Sequence, residues 1–468
     1  MNNYKYLAKN IGLLTISGFA TKFISFLLLP LYTGILTTSE YGTYDLYNTT
    51  ISLLYPIFTL CISDGVIRFL LDDKYDKKDI ITISFKYITI SFIVFFATFT
   101  INIFTNIVPL LNEYKIMFIL MYLTFVLNSW LSAVARGLEK VKEISIASIL
   151  SSFVTIILNI LFLSVFKFGL YGYFWATIVG INVANLFYIF KTKALAYISI
   201  SHKNRETDIE LRTYGSGLVL NSASWWINSS LDKYIILYMC GVAANGLISV
   251  AYKIPTVLSM IQNTFEQAWV LSAVKEYDKE DRKSFFINTY NFYMFIMTFA
   301  ASILIIMTKV LASFLFKKEF YEAWILVPFF LMAFVFSAGA GYCGGVFAAE
   351  KKVKLTSITT LIGALINSII NVILIYYLGI IGAAIATMIS NFTVWIIRIY
   401  FLKKEMDFRI SLIRDILAYI IMIIQIVILF NCELAIGFVI QLFPFCLLLF
   451  LYRSELQMFK NKLIRRYS

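Results

Sequence analysis

The chain is 468 residues long, 60% hydrophobic, with a mean hydropathy of +0.81 and a formal net charge of +13. A soluble domain is excluded, since those average about 45 to 50% apolar residues, and so is a membrane barrel, whose strands alternate polar and apolar residues. The positive charge reads as membrane topology and not as affinity for nucleic acid. The five cysteines stand apart with no CxxC, the single histidine, His202, lies in a polar connection, and no Walker A loop is present, so no cofactor is expected.

Fourteen apolar segments reach the roughly 20 residues a membrane helix needs. The first, residues 10–36, follows Lys5 and Lys9, is too long for a signal-peptide core, and carries Thr15, Gly18, Lys22 and Ser25 on one face, with Lys22 about midway across. The second, 42–70, ends with Asp64 and Arg68 one turn apart, where an ion pair is available. The third, 80–106, holds Lys86 near its inner end, within reach of the interface by snorkelling or of a local partner. Segments 114–137, 143–166 and 168–190 complete a first lobe over residues 1–191, and a polar linker, 192–211, follows.

The seventh segment, 213–240, is the most polar. Asn221, Trp225, Asn228 and Asp232 recur at i, i+4, i+7 and i+11, one stripe of a helix, with Lys233 beside them. A charge at the centre of a bilayer costs roughly 2.5 to 3.5 kcal/mol, so this stripe is expected to line a wet cavity. Asp232 and Lys233 point about 100° apart on a helix and need separate partners. The eighth segment, 245–274, carries Lys253, a Pro255 expected to kink it, and a second stripe of Ser259, Gln262, Asn263 and Glu266. Segments 285–308, 321–349, 353–378 and 380–402 complete a second lobe over 212–403, with Ser337, Gly341 and Gly345 forming a small-residue face for close packing. Segments 412–431 and 433–452 form an appendage within 404–468.

Most of the 40 Lys and Arg residues fall on one set of alternate connections, which places both termini in the cytoplasm. The lobes repeat one another. VKEIS from Val141 recurs as VKLTS from Val353, Asn159 matches Asn371 at the same offset, and GLYGYFWAT from Gly169 matches GIIGAAIAT from Gly379. Equivalent helices start on the same side, so the repeats are parallel.

With its fourteen spans and its six-plus-six repeat, its opening NIGLLTISGFATKFISFLLLPLYTGILTTSEYGTYDLY, its phrase SLDKYIILYMCGVAANGLISVAYKIP and its GxxGxxxAT endings, the chain resembles the polysaccharide-transporter branch of the multidrug/oligosaccharidyl-lipid/polysaccharide exporter superfamily. These are O-antigen or capsule repeat-unit flippases. The resemblance implies an all-α integral membrane protein with two six-helix lobes and two C-terminal helices, V-shaped around a central cavity. It implies that an undecaprenyl-diphosphate-linked oligosaccharide moves from the inner to the outer leaflet of a bacterial cytoplasmic membrane by alternating access. On that analogy Lys22, Lys233, Lys253 and Arg68 would meet the diphosphate. Asn221, Trp225 and Asn228 would contact sugars, and Asp64, Asp232 and Glu266 would serve gating or coupling to H+ or Na+. A polysaccharide polymerase and a chain-length regulator are the expected partners. The competing readings are a lipid II flippase, an ion-coupled multidrug exporter of the same superfamily, and a membrane glycan polymerase. The polymerase would need a large outer loop, which the sequence lacks.

Overall fold

Long apolar runs leave the backbone no water to bond inside a bilayer, so each run must satisfy its amides internally as a helix. The structure, a computed structural model, describes residues 26–199, 204–277, 282–406 and 411–457, and no strand occurs among them. The described residues up to Ser230 form one compact unit, and those from Leu231 onward a second.

The first unit holds α1 (Leu29–Ile35), α2 (Thr38–Phe58), α3 (Ile62–Leu70), α4 (Lys77–Thr105), α5 (Pro109–Glu113), α6 (Lys115–Gly137), α7 (Val141–Asn159, extended by a π-helical turn Ile160–Val165) and α8 (Gly169–Thr192). A capping box starts α2: Glu40 N bonds the Thr37 hydroxyl at 3.2 Å while Thr37 N bonds the Glu40 carboxylate at 2.8 Å. The second predicted span is broken. Beyond Pro56, Leu60 and Cys61 adopt left-handed φ angles of 54° and 50°, and α2 and α3 meet at a 60° bend. Irregular backbone is tolerated at this depth only where protein covers it or a cavity receives it. Here α9 (Arg205–Cys240) supplies cover, since its Gly215 lies directly against the Leu60 carbonyl and its Ser222 hydroxyl meets the Cys61 thiol at 3.5 Å.

The second unit holds α10 (Val242–Ala251), α11 (Thr256–Glu276), α12 (Arg282–Leu315), α13 (Val327–Ala349), α14 (Val353–Leu378), α15 (Ile380–Met406), α16 (Leu412–Asn431) and α17 (Leu434–Leu451). The eighth predicted span bends by 57° between α10 and α11, and Pro255 lies in the break. The appended pair α16 and α17 packs on α12. Helix α9, 36 residues long, contributes its first part to one unit and its last part to the other.

Ten described helices are long and apolar enough to cross a membrane, and twelve spans result if each bent pair is one. Two of the fourteen predicted spans remain. The first lies largely outside the described residues, and the seventh is α9, which has the length but is not among those ten helices.

The repeat is written into backbone detail. Glu139 and Lys351, equivalent residues, both take left-handed φ (58° and 62°) and close the same helix end, with Lys140 N bonding Ala135 O at 2.9 Å and Lys352 N bonding Phe347 O at 2.8 Å. Close packing of the hairpins is also shared, but its glycine changes sides. In α8, Gly180 admits Ser151 and Thr155 of α7; in the other unit the equivalent of Gly180 is Ser390, whose hydroxyl bonds the carbonyl of Gly363 at 2.7 Å. Asn159 and Asn371 are both fully buried.

One ionic cluster fixes the appendage. Asp415 of α16 is fully buried, accepts from the Tyr290 hydroxyl of α12 at 3.0 Å and pairs with Arg414 at 3.1 Å. Arg414 also bonds Asn291 of α12 at 2.9 Å and the carboxylate of Glu455 beyond α17. Removing one partner strands a buried charge, which costs about 3 to 5 kcal/mol. Asp415→Ala should therefore lower the melting temperature of detergent-solubilised protein markedly, whereas Asp73→Ala, at an exposed position, should leave it within a few degrees.

Candidate functional site

Each unit presents its own set of polar side chains. Lys22 and the side chain of Asn228 lie outside the described residues, as does His202. In the first unit Asp64 of α3 is exposed, with the charge of Arg136 on α6 nearby. Arg68 takes Asp72 and not Asp64 as its ion-pair partner, at 3.4 Å, and both side chains remain substantially exposed. The two indoles of α9 have different surroundings. Trp226 donates to the Thr49 carbonyl of α2 at 2.9 Å, whereas Trp225 keeps 64% of its surface open and Asn221 is exposed with it. A docked Trp226 fixes the rotation of α9, so that Asn221 and Trp225 face away from that contact.

Lys86 is a paired residue. Its ammonium meets the Asp208 carboxylate at 2.8 Å, the Tyr87 hydroxyl donates to the other oxygen at 2.8 Å, and Lys74 and Tyr75 hold Glu210 at 3.4 and 2.6 Å. These contacts tie the start of α9 to α4 and to the loop before it. Burial alone would raise the Asp208 pKa, but the bonds from Lys86 and Tyr87 and the charges of Lys86 and Arg212 outweigh it, and the carboxyl sits below its ordinary value.

In the second unit Asp232 and Lys233 are half-buried, and the Lys233 backbone amide bonds the Asp232 carboxylate at 2.9 Å. Lys253 is half-buried in the break between α10 and α11, where its carbonyl accepts from the Thr256 hydroxyl. The stripe on α11 divides: Asn263 is exposed, while Gln262 and Glu266 turn toward α13. The Gln262 amide donates to Glu266 at 2.9 Å and reaches the Ser337 hydroxyl at 3.4 Å, and the Glu266 carboxylate lies against Gly341 where a Cβ would stand. One turn on, Trp269 occupies the space over Gly345 and donates to the Tyr342 carbonyl at 3.0 Å. The small-residue face of α13 is thus the socket of the α11 polar stripe.

Two charged groups escaped the sequence reading. Arg398 of α15 is 6% exposed and bonds only neutral acceptors among the described residues, and Asp415 is fully buried. Both fall near predicted inner span ends, where Arg398 was indistinguishable from an ordinary interfacial cation. A signal existed for Arg398, in the threonines Thr356, Thr359 and Thr360 near the inner end of the neighbouring segment. No cluster of metal-ligating side chains occurs among the described residues.

A family model described as polysaccharide biosynthesis protein matches residues 7–271. No curated protein matches the chain. Among solved structures, a lipid II flippase, MurJ, in an inward closed conformation aligns with a TM-score of 0.66 at 16% identity, over 96% of this chain and 99% of that one. An inward-facing multidrug resistance MATE transporter of the MOP superfamily aligns with a TM-score of 0.64 at 17% identity, over 81% and 96%. A MOP superfamily transporter from Pyrococcus furiosus, described as having a binding pocket of reversed polarity, aligns at 0.53 and 15% identity, over 85% and 93%. The chain shares their fold.

Two outcomes follow. Because the folded pKa of Asp208 is depressed, its contribution is present above the ordinary carboxylate value of about 4 and is lost as pH falls through the folded value. Limited proteolysis should thus cut the linker faster below pH of about 4 and, in Asp208→Asn, already at pH 7. In Gly341→Ala the new methyl crowds the flexible tip of Glu266 and otherwise makes an ordinary contact with the Gln262 amide, so the protein should fold with little change in melting temperature while any activity that uses Glu266 falls several-fold.

Proposed function

The chain belongs to the polysaccharide biosynthesis protein family, and from that premise we propose that it is a flippase for an undecaprenyl-diphosphate-linked oligosaccharide. The observation that carries this reading is the family match, which spans residues 7–271 and both predicted polar stripes. A fold shared with a lipid II flippase over 96% of the chain supports it. The cargo is an O-antigen, capsule or related surface-polysaccharide repeat unit, carried from the inner to the outer leaflet of the bacterial cytoplasmic membrane, with both termini inside. A polymerase and a chain-length regulator act on the delivered unit.

The physics of the cargo sets the mechanism. A diphosphate and its sugars cannot enter hydrocarbon bare, because unpaired charges and hydroxyls are too costly there, whereas the polyprenyl tail can stay among acyl chains. Lys22, Lys233, Lys253 and Arg68 meet the diphosphate at successive depths, and Asn221, Trp225 and Asn228 take the sugars. The open Trp225 ring supports this role. An exposed ion pair is worth about 0 to 1 kcal/mol, so Arg68 exchanges Asp72 for phosphate at little cost. Asp64, Asp232 and Glu266 gate the alternating-access cycle or couple it to H+ or Na+. A second reading, a lipid II flippase, draws on the full-length likeness to that fold.

In a host lacking its own repeat-unit flippase, the chain should restore surface glycan. Lys22→Ala and Lys233→Ala should each abolish that restoration while membrane levels stay normal, and full export by both variants would refute the cationic assignment. Rescue of peptidoglycan synthesis in place of surface glycan would move the cargo to lipid II.

A further inference from the structure

Arg398 raises a question of energetics. Its guanidinium donates to Thr359 and Thr360 hydroxyls at 2.9 and 2.8 Å, to the Thr356 carbonyl at 3.1 Å and to the Ala340 carbonyl of α13 at 2.8 Å. These bonds staple α14 and α13 to α15. Every acceptor is neutral, and a buried charge that lacks an opposite charge costs several kcal/mol.

The repeat shows that the staple does not need a charge. Counting from Gly169 and Gly379, the equivalent of Arg398 is Tyr188, 3% exposed on α8. Its hydroxyl faces Ser132 of α6 and Ser148 of α7, and Ser148 is the equivalent of Thr360. A neutral phenol therefore occupies the same three-helix junction in the first unit. Occupying that junction does not by itself call for the positive charge at Arg398.

Its nearest use is Glu266. Both side chains lean on one turn of α13: the Glu266 carboxylate fills the space over Gly341, and an Arg398 nitrogen stands 3.4 Å from where a Cβ of Gly344 would be. They interact electrostatically without forming an ion pair. Gln262 on α11 and Tyr293 on α12 are the other polar groups facing the carboxylate. An isolated carboxylate in an apolar lobe would hold a proton or a metal cation too firmly to release it, because the bare anion is so costly. A fixed guanidinium on the same turn of α13 lowers that cost and makes capture reversible.

We propose that Arg398 is the internal counter-charge of Glu266, competing with the coupling cation for that carboxylate; this rests on the ion-coupled transport reading above. Arg398 is a positioning residue that acts through Glu266 and does not touch the cargo.

The test uses full-length protein in proteoliposomes containing a fluorescent polyprenyl-diphosphate oligosaccharide, with proton or sodium gradients imposed. Flipping is read beside ion entry, the latter with pH- and sodium-sensitive dyes. Gradient stimulation should fall about tenfold in Arg398→Tyr, which copies the neutral staple, should survive in Arg398→Lys, and should fall no further in Arg398→Tyr combined with Glu266→Gln, since neighbours acting through one contact are non-additive. If the tyrosine variant does not fold, Arg398→Gln, which keeps donors and sheds charge, should give the same loss. Undiminished stimulation in a charge-free variant, a loss that adds to that of Glu266→Gln, or a wild type in which no gradient drives ion entry would overturn the proposal. Ion entry that depends on Arg398 without any flipping would uphold it and remove the flippase reading instead.

Discussion

Inside a bilayer no water completes an unfinished hydrogen bond, and this chain is arranged around that scarcity. At several places where its sequence puts a polar group within an apolar run, the described structure brings a second element to meet it. Trp226 reaches a carbonyl of α2, Gln262 reaches Ser337, and Asp415 is enclosed by Tyr290 and Arg414. The broken backbone at Leu60 and Cys61 is covered by a glycine and a serine of α9. In each case a polar requirement fixes which helices must touch and in which rotation, a directional constraint that apolar contacts among lipid-like side chains do not supply.

The same constraint explains what could be read from sequence. The helical character of the apolar runs, the repeat and the bend at Pro255 follow from run length, ordered identities and proline chemistry, all local properties. The fate of Lys86 was open between snorkelling and pairing, and only the folded chain selects Asp208. The stripe of Ser259, Gln262, Asn263 and Glu266 was legible as a stripe, yet its socket was not, because Ser337, Gly341 and Gly345 read as generic close packing until Glu266 is seen against Gly341. Arg398 was hidden for a physical reason. A cation near the inner end of a span has the same sequence signature whether it rests in headgroups or is folded inward onto threonines.

The two units also differ in an informative way. They share the left-handed helix stop at Glu139 and Lys351 and a buried asparagine, but their bent spans do not match. The break in the first unit lies 22 residues after the start of α2, at Leu60, and that in the second about half as far into its span, at Pro255. The helix stop and the buried asparagine are therefore common to both units, and the residues that interrupt their spans are particular to each, as expected where interruptions carry function.

The hairpin contact served by Gly180 in one unit and by Gly363 in the other has a bearing on how kinship among such chains is judged. What that junction demands is a single vacancy between two helices, and either partner satisfies it. A column-by-column comparison would score both positions as variable and overlook the requirement, while a score that treats the facing pair as one character would find it preserved.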